Sequence, residues 1–248
     1  MCLIVFAWRP DHAQPLIVAA NRDEFYARPS LPLAQWPEAP QVYAGRDLEA
    51  GGTWLGVGAH GRFAALTNIR DPHQPPARKS RGELVARFLN GEMPIDQYLS
   101  DVIGRSLEYA GFNLLIGNAN ELWHYSARSS EAVMLPPGVY GLSNAGLDTP
   151  WPKLLKARAA LEAVLDDPQP EALLGLLNDP QTAPFAELPD TGVGLATEAL
   201  LSSVFIASPT YGTRASTALI VQGDGTRHMV ERSFGPYGGH LGEVHIKI

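Results

Sequence analysis

Short apolar runs separated by turn-rich segments are the dominant pattern of the chain. The runs Cys2 to Trp8 and Leu16 to Ala20 flank residues 9–15, a segment with two prolines. Apolar runs of this length bounded by turn residues predict strands, so we expect an N-terminal β-hairpin. Two further runs, Thr53 to Gly58 and Arg62 to Asn68, flank a His-Gly turn and predict a second hairpin.

Helical periodicity appears after these hairpins and again in the second half of the chain. Apolar residues between Leu84 and Leu89 fall on one helical face, directly after Ser80 and Glu83, which have the spacing of a capping box. The other predicted helices are Pro94 to Tyr109, Trp151 to about Leu165 and Glu171 to Leu177, and the other predicted strands are Phe112 to Gly117, Glu121 to Ser126, Val133 to Leu135, Ser216 to Gln222, Arg227 to Phe234 and Val244 to Ile248.

The order of these elements predicts the fold class. Strands, helices, strands, helices and strands follow one another, and hairpins outnumber β-α-β units, which favours an α+β fold of antiparallel sheet layered with helices. A Pro-rich passage over residues 29–40 is expected to run along the surface as neither helix nor central strand. No repeat or linker is visible, so residues 1–248 are predicted to form a single domain.

Charge and cysteine content exclude several classes of protein. Nineteen Lys and Arg against 26 Asp and Glu give a formal net charge of −7, so we expect no general basic surface for nucleic acid. The single cysteine, Cys2, excludes an internal disulfide framework and Cys-rich metal sites. No apolar run approaches the roughly 18 residues of a membrane span, and the histidines show no metal-site spacing. These features predict a cytoplasmic protein without a membrane span or a metal site.

Cys2 is the first candidate for chemistry. Methionine before a small residue is ordinarily removed in the cytosol, so we expect the mature chain to begin with a thiol beside a free α-amine. Such an amine titrates near about 7.7–8.0 and can accept the thiol proton, so one residue would hold both nucleophile and base. The alternative is a structural cysteine buried at the start of a core strand.

A polar stretch, Asn21-Arg22-Asp23-Glu24, follows the second apolar run. In a tight hairpin the start of the first strand lies beside the end of the second, so Cys2 and these four residues are expected at one end of a sheet. Arg22 near the sulfur would favour the thiolate and attract an anionic substrate, and Asp23 would orient the amine or Arg22. The alternative is a solvated charged turn that closes the strand.

Short motifs follow one another through nearly the whole chain. They are Met1-Cys2-Leu3-Ile4, Asn21 to Glu24, Gly51 to Val57, Thr67 to Arg70, Gly141 to Asn144 followed by Asp148 to Trp151, and Tyr211 to Arg214. Together and in this order they resemble the NRDE family, which is also called the transport and Golgi organisation protein 2 family.

The resemblance implies a fold and a set of roles. The family is similar to the cysteine branch of the N-terminal nucleophile hydrolases, which implies a four-layer α-β-β-α sandwich of mostly antiparallel sheets. Cys2 would then be the nucleophile, Asn144 an oxyanion donor and Arg214 a second cationic wall. Arg22 and Asp23 would form the polar group beside Cys2. They are adjacent here, whereas the matching pair in the acylases of this fold is separated, and adjacent strand residues point to opposite faces.

Two functions are compatible with this resemblance. The first is hydrolysis of an amide or thioester through a covalent acyl-enzyme on Cys2. The second is non-catalytic carriage of heme or acyl-CoA in the same cleft, because proteins of this family are linked to heme trafficking and to acyl-CoA or lipid metabolism. Either way the partner is a small molecule and no cofactor is required, heme being a transported ligand. The residues expected to bind the ligand are Asn21, Glu24, Trp54, Asn68, Arg70 and Tyr211.

Overall fold

The computed structural model describes residues 2–74 and 77–248, so Met1, whose removal the Cys2 hypothesis requires, lies outside the described residues. The strands are β1 Cys2–Trp8, β2 Leu16–Phe25, β3 Ser30–Trp36, β4 Ala39–Asp47, β5 Leu55–Val57, β6 Phe63–Asn68, β7 Phe112–Gly117, β8 Leu122–Ser126, β9 Glu131–Met134, β10 Gly138–Leu142, β11 Tyr211–Val221, β12 Arg227–Phe234 and β13 His240–Lys247. The helices are α1 Gly82–Asn90, α2 Ile95–Gly104, α3 Pro152–Glu162, α4 Pro170–Leu176 and α5 Leu195–Leu201.

The chain divides into two compact units. The first unit contains residues 2–27, Arg70–Pro72 and Pro137–Ile248, and the second contains Arg28–Ile69 and His73–Pro136. Each unit holds one sheet. Both units draw on separated stretches of the chain, and a single domain over residues 1–248 stays a prediction.

The first unit is a six-stranded antiparallel sheet with helices on one face. Its strand order is β10-β1-β2-β11-β12-β13. Alternate residues of β1 and β2, such as Leu3, Val5 and Ala19, pack against Leu154 of α3 and Leu173 of α4. This alternation is the period of two that a strand with one face on a helix layer requires.

The second unit is a seven-stranded antiparallel sheet in the order β3-β4-β5-β6-β7-β8-β9. Phe88 of α1 and Tyr98 of α2 are both in its apolar core, together with Leu66, Leu114 and Tyr125 from the sheet. The predicted helical face of α1 is therefore the face that is buried. None of the helices that the structure describes combines the length and the apolar character needed to span a membrane.

The predicted α+β class with antiparallel sheets is confirmed, and each unit has a sheet layer and a helix layer. The passage over residues 29–40 is mostly exposed and is neither helix nor central strand, as predicted, although it holds the edge strand β3, the turn after it and the start of β4. Pro32 is tolerated there because β3 is an edge strand whose register shifts between Leu31 and Ala34. The sequence also did not predict β10 or α5.

Candidate active site

The N-terminal hairpin brings Cys2 directly opposite Arg22. In the β1–β2 register Cys2 pairs with Arg22 and Leu3 pairs with Asn21, so the predicted meeting of Cys2 with this polar stretch is present. The second strand was expected to end at Ala20, but β2 continues to Phe25. The polar residues 21–24 therefore lie inside a strand and not in a turn after it.

Strand geometry sends these polar residues to opposite faces of the sheet. Arg22 shares the face of Cys2, because directly paired residues point the same way. Asn21 points with Leu3 to the helix side, where its amide donates to the carbonyls of Leu177 (3.0 Å) and Val204 (2.8 Å). Its side-chain oxygen accepts a hydrogen bond from Ser216 Oγ at 2.6 Å. Asn21 thus holds the sheet to the segments that cover it.

Asn144 lies on the other side of β1. The last β1–β10 pair is Ile4 with Leu142, so Ser143 and Asn144 directly follow the end of β10, near the start of β1. Ser143 Oγ donates a hydrogen bond to the Cys2 carbonyl at 3.2 Å, which fixes the loop after β10 against the start of β1. Asn144 is buried, and its carbonyl accepts the backbone N–H of Arg70 at 2.8 Å.

Asp23 is held by β11, the neighbour of β2. Thr213 Oγ1 donates to Asp23 Oδ1 at 2.8 Å and accepts the backbone N–H of Ile206 at 2.9 Å. The register shifts between Thr213 and Ala215, so Arg214 is the extra residue of a β-bulge. Its Nη1 donates to the Phe25 carbonyl at 3.2 Å, so the guanidinium lies beside the end of β2.

Arg70 and Glu198 form a buried ion pair in the same unit. Arg70 Nη1 bonds to Glu198 Oε2, and the two side chains are only 4% and 3% exposed. The Arg70 guanidinium also lies over the ring of Trp151 at 4.7 Å from its centroid. Glu198 Oε1 accepts the backbone N–H of Thr191 at 2.9 Å. Sequence analysis assigned ligand binding to Arg70 but missed Glu198, because the short helix α5 was not predicted.

Lys153 is the second residue that sequence analysis missed. It lies in the first turn of α3, which reaches the sheet at Gly141, where an added Cβ would come within 2.5 Å of the Leu154 side chain. Lys153 is 3% exposed, and no described residue offers its Nζ a hydrogen bond. A lysine in the first turn opposes the helix macrodipole. That placement was the signal available in the sequence, although the helix itself had to be predicted first.

Burial shifts the pKa of several groups in this region, among them Cys2, Asp23 and Lys153. It raises the pKa of the Cys2 thiol, and so does the Asp23 carboxylate, whereas the Arg22 guanidinium and the Asp23 backbone N–H lower it. Burial raises the pKa of Asp23 against the opposing field of Lys153. Burial lowers the pKa of Lys153 to about 8, while the fields of Asp23 and Cys2 oppose that change. Burial thus pushes each of these groups towards its neutral form.

The remaining predicted ligand-binding residues are spread over both units. Glu24 is half-buried on β2, and its Oε1 accepts the backbone N–H of Phe25 at 2.8 Å. Tyr211 begins β11 and contacts the Phe25 ring edge-on at 5.1 Å between centroids. Trp54 and Asn68 belong to the second unit. In the described part of the chain, no three His, Cys, Asp or Glu side chains come together as a possible metal site.

A thiol, two carboxylates and three cations thus occur together in the first unit. Arg22 can favour the thiolate, and Asn144 carries an amide of the kind that stabilises an oxyanion. Asp23 and Lys153 can exchange a proton with the sulfur. Such a set is suited to nucleophilic attack on a carbonyl carbon. We call it the Cys2 cluster, and its members are Cys2, Arg22, Asp23, Arg70, Asn144, Lys153 and Glu198.

Known proteins resemble this chain over most of its length. The family model described as Transport and Golgi organisation 2 matches residues 1–236. The mouse Transport and Golgi organization 2 homolog is 36% identical over 260 residues, covering 94% of this chain and 93% of its own. The human homolog is 37% identical with the same coverage. The Drosophila protein of that name is 30% identical over 269 residues, covering 94% and 92%.

Solved structures resemble the chain more remotely. Penicillin V acylase from Agrobacterium tumefaciens has a TM-score of 0.41 at 10% identity and covers 91% of this chain and 82% of its own. A Caenorhabditis elegans N-acylethanolamine-hydrolyzing acid amidase ortholog has a TM-score of 0.42 at 12% identity and covers 88% and 92%. At these scores neither likeness bears on the chemistry of this chain.

Proposed function

Because the chain belongs to the Transport and Golgi organisation 2 family, as its motifs predicted, and because that name states no reaction, we propose a function from the Cys2 cluster itself. The protein hydrolyses a small amide or thioester through a covalent bond to Cys2. The observation that carries this proposal is the pairing of Cys2 with Arg22 at the end of the sheet where Asn144 also lies.

The proposed reaction has two steps. Cys2 Sγ, as the thiolate, attacks the substrate carbonyl carbon, the bond to the leaving amine or thiol breaks, and the leaving group takes up a proton. Water then hydrolyses the thioester, which returns the thiol and releases a carboxylic acid. Asn144 would stabilise the negative oxygen that develops in each step. The α-amine of Cys2, exposed after removal of Met1, would accept the thiol proton.

The cations of the cluster favour an anionic or strongly polar substrate. Arg22 and Arg70 are buried, and a guanidinium matches carboxylate and phosphate oxygens in a two-pronged geometry. Heme propionates and the phosphates of acyl-CoA have this chemistry, and carriage of either molecule uses the same residues without turnover. The two hypotheses therefore assign the same role to the arginines, and only the hydrolase hypothesis requires Cys2.

The test measures both the N-terminus and turnover. Intact mass of the wild-type protein should show the loss of Met1, and a panel of acyl amides and acyl thioesters, including palmitoyl-CoA, should reveal hydrolysis. Cys2→Ala keeps a small residue after Met1, so processing continues and only the thiol is lost. We expect turnover to fall by at least about three orders of magnitude. Lys156→Met, on the exposed side of α3, is the matched control and should keep full activity.

The same experiment separates the two functions. Binding of heme or palmitoyl-CoA without hydrolysis, equal in wild type and Cys2→Ala, would support a carrier and overturn the hydrolase. Hydrolysis that survives unchanged in Cys2→Ala would remove the nucleophile assignment.

A further inference from the structure

The Cys2 cluster holds more cations than carboxylates. Its ionisable members besides the thiol are three cations, Arg22, Arg70 and Lys153, and two carboxylates, Asp23 and Glu198, all of them buried. With a neutral thiol, a neutral α-amine and a charged lysine, the cluster carries one uncompensated positive charge. Burial of an uncompensated charge is costly, so a balanced state is favoured.

Loss of one proton balances the cluster, and only two of its side chains can readily lose it. Arginine keeps its proton under all physiological conditions, which leaves the Cys2 thiol and the Lys153 ammonium. The two balanced states therefore differ only in where a single proton sits, on Cys2 Sγ or on Lys153 Nζ. In the second state the thiolate has a buried ammonium as its counter-ion.

The surroundings of the Lys153 ammonium support such a role. Its Nζ is buried and has no hydrogen-bond partner among the described residues, although buried ammonium groups are ordinarily paired. The groups that act on it are Asp23 on β2, Arg70, Cys2 on β1 and Glu198 on α5. Its burial lowers the pKa to about 8, which is within reach of a perturbed thiol.

Lys153 has further charged neighbours in a cleft at the start of α3. Lys153 helps to line a cleft of about 370 Å³ formed by the start of α3, residues 181–184 and residues 202–204. Lys156 and Glu187 line the same cleft. Lys156 Nζ bonds to Gln181 Oε1 at 3.0 Å and also pairs with Asp179, so its charge is already compensated, in contrast to that of Lys153.

We propose that Lys153 is the positioning residue for the Cys2 thiolate, because the two side chains share one proton and the lysine becomes an ammonium when the thiol ionises. The inference rests on the proposed function in taking Cys2 as the nucleophile. It goes further in one respect: the thiol proton, which the proposed function gives to the α-amine, comes to rest on Lys153, a residue far along the chain from Cys2. Lys153 acts through Cys2 and needs no contact with substrate.

The experiment is a titration of the thiolate by its ultraviolet absorbance. The chain contains one cysteine, so the absorbance that appears with rising pH, after subtraction of a Cys2→Ser blank, reports Cys2 alone. Lys153→Met should raise the midpoint by at least one pH unit, a tenfold lower thiolate-to-thiol ratio at a given pH. Asp23→Asn should lower the midpoint, because the Asp23 carboxylate opposes the thiolate.

Two further variants keep the inference testable. Lys153→Arg places a permanent cation at this position and should give a midpoint at or below the wild-type value. It is the variant to compare with wild type if Lys153→Met does not fold. Lys156→Met, three residues along the same helix, is the matched control and should leave the midpoint unchanged.

The outcomes separate this inference from the proposed function. An unchanged midpoint in folded Lys153→Met would overturn the role of Lys153, even if the wild-type protein hydrolyses its substrate. If Lys153→Met does not fold, an unchanged midpoint in Asp23→Asn or a raised midpoint in Lys153→Arg would overturn it. A shifted midpoint in a protein without hydrolytic turnover would support the shared proton and contradict the proposed function.

Discussion

The second unit buries Arg62 against backbone carbonyls, whereas the first unit buries several charged side chains against one another. Arg62 Nη1 donates to the Phe88 carbonyl at 3.1 Å, near the end of α1, and the guanidinium lies 4.4 Å from the centroid of the Phe88 ring. This arrangement satisfies the last carbonyls of a helix and needs no counter-ion. The Cys2 cluster instead concentrates ionisable groups around a thiol.

This difference separates buried polar side chains that stabilise the fold from those that take part in chemistry. Arg62 satisfies helix carbonyls and packs on an aromatic ring, so its burial has a structural explanation. Lys153 has neither a carbonyl nor a carboxylate within hydrogen-bond distance among the described residues. Residues that lower the stability of the fold are expected at functional sites, because interactions elsewhere in the fold offset the lost free energy of unfolding.

The largest expected difference between the units is in the cost of removing a carboxylate. Glu198→Ala leaves the Arg70 guanidinium buried without its partner, so we expect the free energy of unfolding to fall by about 3–5 kcal/mol. Glu108→Ala in the second unit is the matched control. Glu108 pairs with two cations, Lys79 and Arg105, but its side chain is 36% exposed.

We expect the Glu108 change to lower the free energy of unfolding far less, because water screens and replaces the lost pairs. Urea unfolding followed by circular dichroism measures both variants. Equal losses would show that the Arg70–Glu198 pair is not special and would remove the energetic contrast between the units.

The pH dependence of stability should carry a contribution from Lys153. Its pKa of about 8 in the folded protein lies below the ordinary 10.5, so the unfolded chain binds more protons between these values. Stability should therefore rise with pH from about 8 to about 10.5, by roughly 3 kcal/mol from this group alone.

The thiol has the opposite sign and must be removed from that measurement. Its raised pKa stabilises the folded state at low pH, and this stabilisation is lost as the pH rises through the folded-state value. Chemical unfolding is therefore compared in Cys2→Ala and in the double variant Cys2→Ala, Lys153→Met. The rise should be present in the first and absent from the second. Parallel curves would mean that Lys153 titrates normally.

A smaller effect is expected from Asn21. Asn21→Ala leaves the buried carbonyls of Leu177 and Val204 and the hydroxyl of Ser216 without their partner, so we expect a loss of about 2–3 kcal/mol. Asn118→Ala in the second unit also removes a side chain that bonds to two backbone groups. That site is partly exposed and water can replace it, so its loss should stay below about 1 kcal/mol.

A loss from Asn21→Ala no larger than that from Asn118→Ala would indicate that the polar links between sheet and helices are dispensable. The measurement also bears on the sequence-based prediction that Asn21 binds a ligand. Weaker binding of an anionic ligand with unchanged stability would support that prediction over the structural role.

Local patterns were sufficient to predict the pairing of Cys2 with Arg22. A hairpin closes within a few residues, so turn signals and the lengths of two apolar runs determine which residues meet. The same reasoning placed the strand end five residues early, because Asn21 to Glu24 look like a turn. Their burial depends on partners far along the chain, such as Ser216 and Thr213, which no local pattern reveals.

The remaining members of the cluster depended on tertiary packing. Arg70 and Glu198 are 128 positions apart, and α5 has only seven residues, too few for a clear helical period. Lys153 was inside a correctly predicted helix, but a charged residue there is ordinarily assigned to the solvent side. Only the approach of α3 to Gly141 shows that this turn of the helix is buried.

Trapping of the covalent intermediate tests the role of Cys2 most directly. The wild-type protein is mixed with an acyl thioester, quenched in acid within seconds and analysed by intact mass and peptide mapping. We predict an acyl adduct on the peptide that begins with Cys2, after loss of Met1, and no adduct in Cys2→Ala. Hydrolysis by the wild-type protein with Met1 retained, or an adduct that persists in Cys2→Ala, would contradict the assignment of Cys2 as the nucleophile.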